Sequence, residues 1–181
     1  MENKKGQMTS VVVLILGLIL LVFIIAGLTI GWGVVKSATD VIIPEFTSIG
    51  EIFPGSNVSE YAEMTLNPAS SIIDNMGLII GLVYILGLVG LLGYAFIFRN
   101  NFNGWIAMFF IASVLMLIML SIFVSQYYES FYLDQNELGT ILRSATLVSF
   151  LIIQSPVILT IIAFIAGIIL FTGNREDSFN V

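Results

Sequence analysis

The apolar residues of this chain neither alternate nor trace a narrow stripe. They come in four long runs, at about residues 10–35, 76–98, 105–126 and 147–172, and no run holds an Asp, Glu, Lys or Arg. Each is close to the roughly 20 residues that a helix needs to cross a bilayer. A helix that is apolar all round also occurs in the core of a large soluble protein. Four such helices in 181 residues leave nothing soluble to bury them. The pattern predicts an all-α membrane protein, a four-transmembrane-helix bundle forming one membrane domain over residues 1–181.

The polar stretches between the runs are unequal. Arg99-Asn100-Asn101-Phe102-Asn103-Gly104 is a short polar turn. Residues 36–75 and 127–146 are longer, and the first is expected to be an exterior loop of about 40 residues. It mixes Val41, Ile42, Phe46, Ile52, Tyr61 and Leu66 with its polar residues, so it is expected to fold onto the bundle. Asn67-Pro68 has the form of an N-cap followed by proline at the first helical position, which places the start of the second helix near Pro68. Asp134 and Glu137 resemble a capping box, so the fourth helix is expected to start at Gln135 and run to Phe171. The third is expected to continue past Val124 to Tyr132. Helix ends then rise above the lipid.

Composition narrows the chemistry. The chain is 58% hydrophobic and 10% charged, with a mean hydropathy of +1.05. Soluble domains carry about 25% charged residues. The net charge is −6 and there is no basic patch, which disfavours nucleic acid as a partner. There is no Cys and no His, which removes disulfides, thiolate nucleophiles, Cys/His zinc sites and His-ligated haem. No GxSxG, Walker A, GxGxxG, HExxH or EF-hand pattern occurs. No catalytic, cofactor-binding or metal-binding residues are therefore assigned, and no cofactor is expected. Pumps and ion-coupled transporters usually place ionisable groups within their spans, and these spans have none.

Lys and Arg set the expected orientation. With both termini cytoplasmic, Lys4, Lys5, Arg99 and Arg175 lie inside, against Lys36 and Arg143 outside. Trp32, Trp105, Tyr127, Tyr128 and Tyr132 fall where interfacial aromatic belts are expected. Asn57-Val58-Ser59 is a sequon, so Asn57 is a possible glycosylation site in the segment assigned to the exterior. Within the spans, Gly27 and Gly31, Gly77 and Gly81, Gly87 and Gly90, and Ala163 and Gly167 recur at spacings that let helices approach closely. Packing inside one bundle is the first reading of these residues, and a homo-oligomer interface the second. Gln154-Ser155-Pro156 is the polar cluster of the fourth span. Pro156 is expected to kink the helix there, with interhelical hydrogen bonding at the kink or a substrate site as its two readings.

Lys4-Lys5-Gly6-Gln7 immediately before the first apolar run resembles the class III signal segment of archaeal pilin-like proteins. The resemblance covers residues 4–30 and implies a cut between Gly6 and Gln7 in an archaeal cell membrane. The Glu usual at the fifth mature position is replaced by Val11, and nothing after the first span resembles a pilin. An ordinary basic flank obeying the positive-inside rule is the alternative.

These features favour a non-catalytic structural or accessory protein of the cell membrane. It would contact other membrane proteins, or itself, through the exterior segments. An oligomeric channel or facilitator for a small solute is the alternative, and a membrane-embedded lipid-acting enzyme the third reading.

Overall fold

A computed structural model describes residues 2–49, 51–53, 56–97 and 104–172. In chain order the elements are α1 (Glu2–Ser48), β1 (Glu51–Phe53), β2 (Ser56–Asn57), α2 (Val58–Ile97), α3 (Gly104–Leu133), α4 (Glu137–Ser144), α5 (Thr146–Ile153) and α6 (Ser155–Phe171). The two strands form a minimal antiparallel ribbon, with Glu51 opposite Asn57 and Phe53 opposite Ser56.

Among the described residues, α1, α2 and α3 are each long and apolar enough to cross a bilayer, and α5 with α6 reaches the same length if the bent pair is one span. In the most apolar windows of α1, α2 and α3 only 39%, 28% and 22% of residues are buried. Leu16, Leu86, Met119 and Phe164 are each more than half exposed. Water cannot solvate that much contiguous hydrocarbon, so lipid must. The chain is a membrane-embedded helical bundle.

α1 and α2 lie antiparallel. A side-chain methyl built at Gly87 would meet Leu21, one built at Gly17 would meet Leu91, and one at Gly77 would lie 3.1 Å from the Trp32 ring. α3 runs beside α1 and opposite to α5 and α6. The common core holds Leu14, Leu18 and Ile25 of α1, Tyr84 of α2, Leu117 of α3, and Val148, Ile152, Leu159 and Ala163 of the last helices, all almost wholly buried. The end of the bundle carrying the α1–α2 turn and α4 is called the hairpin end below.

Three expectations change. Residues 36–75 are not a loop: α1 continues to Ser48 and α2 begins at Val58, well before Pro68. α1 has 47 residues, which is about 70 Å, against a hydrocarbon thickness of about 30 Å. Pro44 and Pro68 lie inside helices, each forgoing one backbone hydrogen bond. Pairing of the two helices side by side, rather than local propensity, carries them past the prolines. Next, the N-cap before the fourth span is Asn136, whose Oδ1 accepts from the Gly139 N–H at 2.8 Å, while Asp134 Oδ2 accepts from Asn136 Nδ2 at 2.9 Å. Asp134 therefore orients the cap instead of forming it. Finally, the fourth span is not one helix from Gln135 to Phe171. It is split at Ala145 and again at Gln154, where α5 and α6 diverge by 68°. Pro156 at the start of α6 is the cause the sequence supplies. The third helix ends at Leu133, one residue past the expected Tyr132.

Candidate functional site

The hairpin end is where polar side chains, an open cavity and unpartnered apolar surface meet. Its base is a clasp between α1 and α2. Trp32 Nε1 donates to the Ile73 carbonyl at 2.6 Å, and one turn further on Lys36 donates to Asp74 and lies 3.6 Å from Asp40. The hydrogen bond to Asp74 holds the Lys36 ammonium above its usual range, with Asp40 adding to the effect. The clasp uses the indole tip and the ammonium at the depth where α1 leaves the apolar band. It also fixes the register of everything beyond.

α4 closes the opposite side. It is a short amphipathic helix, with Gly139, Ile141 and Leu142 buried and Thr140 and Arg143 exposed. A methyl at Gly139 would sit 2.1 Å from the Asp134 carbonyl oxygen, so only glycine fits under the turn that leaves α3. Arg143 Nη1 donates to the Tyr132 carbonyl at 2.7 Å and to the Asp134 carbonyl at 2.9 Å, and its Nη2 donates to Thr140 Oγ1 at 3.0 Å. The guanidinium thus serves the last carbonyls of α3, where the helix dipole favours a cation.

Between these two sides lies a cavity of about 360 Å³ lined by Trp32, Asp74, Asn75, Gly77, Leu78, Ser144, Ala145, Thr146 and Leu147. Its wall is the break at Ala145. There the Leu142 carbonyl, released from helix bonding, accepts from Ser149 Oγ at 2.7 Å, and Ser149 Oγ shares a 2.8 Å hydrogen bond with Tyr128 Oη. One turn deeper, Ser125 Oγ donates to the Ile153 carbonyl at 2.7 Å, at the second break. Both breaks are repaired by hydroxyls of neighbouring helices, which is how membrane bundles tolerate interrupted backbone.

Of the intramembrane cluster, Gln154 is exposed, Pro156 half-buried and Ser155 fully buried. The hydroxyls of Ser155 and of Tyr84 have no hydrogen-bond partner among the described residues. Gln154 does not line the cavity at the hairpin end. The hydroxyls of Ser121 and Thr160 donate to carbonyls of their own helices at 2.8 and 2.6 Å. The Ser121 and Thr160 hydroxyls are thus committed within their own helices.

The small residues divide into two groups. Gly77 approaches Ala145 and Trp32, Gly81 approaches Leu147, Gly87 approaches Leu21, and Gly167 approaches Phe110; Ala163 is fully buried. Gly27, Gly31 and Gly90 face open space. Asn57 falls in β2, and its side chain lies outside the described residues, as does that of Gln7 at the expected cleavage point. Sequence reasoning missed the close approaches of Gly17 to Leu91 and of Gly33 to Leu138. It also missed Asn136 and Arg143 as caps. For Asn136 a signal was present, since Asn is a strong N-cap and Gly139 follows three residues later. Among the described residues there is no group of three or more Asp and Glu side chains able to hold a metal ion.

Beyond the clasp, α1 and α2 continue as a helical hairpin. Ile43 and Thr47 on α1, and Leu66, Ser70 and Ile73 on α2, are half-buried. Val41, Ile42 and Phe46 on α1, with Ile49 just past its end, are 41–52% exposed, and Met64 and Ile72 on α2 are 72% and 61% exposed. At 100° per residue, Val41, Ile42 and Phe46 share one face of α1, opposite the side that carries Lys36, Ile43 and Thr47, and Ile49 follows just past the helix end.

No protein-family model, no curated protein and no solved structure matches this chain.

Proposed function

We propose that this protein is a non-catalytic, multi-pass subunit of a membrane assembly, which engages its partner through the helical hairpin of residues 36–75. In this reading the bent α5–α6 pair is one span, giving four crossings, and both termini lie on the cytoplasmic side of the cell membrane. The short helix around Arg143 then borders the exterior headgroup layer. The Lys and Arg distribution supports the orientation. The N-terminal resemblance supports an archaeal membrane.

The observation that carries the reading is the outward face of the hairpin. Val41, Ile42, Phe46 and Ile49 are exposed beyond the clasp, on the part of α1 that outruns the apolar band. Exposed apolar surface in lipid is solvated, but the same surface in water marks a contact site. The chain's lack of Cys and His, and the commitment of the Ser121, Ser125, Tyr128 and Ser149 hydroxyls to internal bonds, support a binding role over a chemical one.

The test is gentle solubilisation of the tagged full chain from its native membrane, followed by sizing and mass spectrometry. A stable, reproducible complex with another membrane protein is expected. Recovery of a lone monomer at native expression would sink the reading. Because the chain has no native cysteine, single cysteines at Ser37 and at Gly104 report orientation directly. The first is expected to react with a membrane-impermeant maleimide on intact cells, and the second to stay unlabelled.

A further inference from the structure

The face that carries the proposed function is not purely apolar. On α1 it spans Val41, Ile42 and Phe46, with Ile49 just past the helix end, and Glu45 projects from within that same arc. The α2 arm repeats the arrangement, with exposed Met64 and Ile72 on one side and Glu60, also exposed, near its edge. The whole hairpin, residues 36–75, holds Asp40, Glu45, Glu51, Glu60, Glu63 and Asp74 against the single cation Lys36. That cation is spent. It is bonded to Asp74 and paired with Asp40 on the side of α1 turned towards α2, away from Glu45.

Burying Val41, Ile42, Phe46 and Ile49 against a partner takes Glu45 out of water. A desolvated carboxylate without a cation costs several kcal/mol, so the partner must bring one. A second copy of this hairpin cannot, because it has no free Lys or Arg to offer and would set carboxylate against carboxylate. An anionic lipid surface fails for the same reason.

We infer that the occupant of this face is a different protein, one that presents an apolar surface with a Lys or Arg set to meet Glu45. The inference rests on the proposed function and goes beyond it by fixing the partner's chemistry and excluding self-association through this face. The interaction is charge-steered, so its formation falls as ionic strength rises.

The test places a photo-crosslinking phenylalanine analogue at Phe46 of the full chain in native membranes and identifies the adduct by mass spectrometry. The expected adduct joins Phe46 to a different chain, on a segment with Lys or Arg within one helical turn of the crosslinked residue. Glu45→Lys is expected to lower the adduct yield at least tenfold, the size of effect that follows from losing a desolvated charge pair, while Glu45→Asp retains most of it. Both variants sit on an exposed face and are expected to leave thermal stability unchanged, which is measured alongside. An adduct with the chain itself, with lipid, or with a segment lacking Lys and Arg overturns the inference, as does a yield indifferent to Glu45→Lys. No protein adduct at all, together with a lone monomer on sizing, overturns the proposed function instead.

Discussion

The two arms of α1 on either side of Trp32 both carry large apolar side chains and put them to opposite uses. Below Trp32, Leu14, Leu18, Val22 and Ile25 are buried against three other helices, and the exposed residues between them face hydrocarbon. Above it, Val41, Ile42, Phe46 and Ile49 are as apolar, yet only α2 runs alongside that stretch, and the carboxylate of Glu45 stands among them. The lower arm is stabilised by shape, because in lipid close packing replaces the hydrophobic effect. The upper arm is held to the molecule by a few polar fastenings at its base. From Ser10 to Trp32 the helix carries no charge, whereas beyond it Lys36, Asp40 and Glu45 interrupt the apolar residues, and the neighbours follow that division.

That comparison is most sharply broken by crowding the packed region. Gly139→Ala forces a methyl to within 2.1 Å of a backbone oxygen, where nothing flexible can yield. A loss of about 3 kcal/mol or failure to fold is expected, read by thermal unfolding in detergent. Gly27→Ala and Gly31→Ala, with open space around each, are expected to change stability by less than about 1 kcal/mol in the same assay. A large loss there would show that this face packs on a second chain.

Next in size is the hydroxyl chain at the first break. Ser149→Ala strands both the Leu142 carbonyl and the Tyr128 hydroxyl, and is expected to cost about 1–3 kcal/mol. Tyr128→Phe removes one partner only and should cost less. A double-mutant cycle that returned no coupling between them would remove the chain as a stabilising unit.

On the protruding arm, Phe46→Ser is expected to shift stability by no more than about 0.5 kcal/mol while abolishing partner recovery. Equal losses of fold and partner would erase the distinction between the arms.

The smallest effect belongs to the clasp. Lys36 has its pKa raised by Asp74, so its contribution is complete below the ordinary lysine value of 10.5 and is lost as pH climbs through the raised value. Spin labels at Ile43 and Leu66 are expected to separate only above pH 10.5, and Lys36→Met to separate them at neutral pH.

How much could be read in advance follows the same division. The spans were legible because long charge-free runs have one physical solution in a membrane. The bend near Pro156 was legible from the proline itself. The hairpin was not, because Pro44 and Pro68 are local signals for ending or starting a helix. They were overridden by the pairing of α1 with α2, which no local window contains. The glycines show the same limit. Gly27 and Gly31 have the same four-residue spacing as Gly77 and Gly81, but spacing does not say which face looks inward. At the hairpin end, apolar content in residues 36–75 was visible, but the outward direction of Ile42 and Phe46 required the helix to exist first.

The clasp at Trp32 also divides α1 into unequal lengths. The helix runs about 16 Å from Trp32 to Ile43 on one side, and about 33 Å to Ser10 on the other. The longer length is wedged among three helices and the shorter is paired with one, so a sideways load on the hairpin is taken up by bending beyond the clasp and not by tilting α1 as a whole.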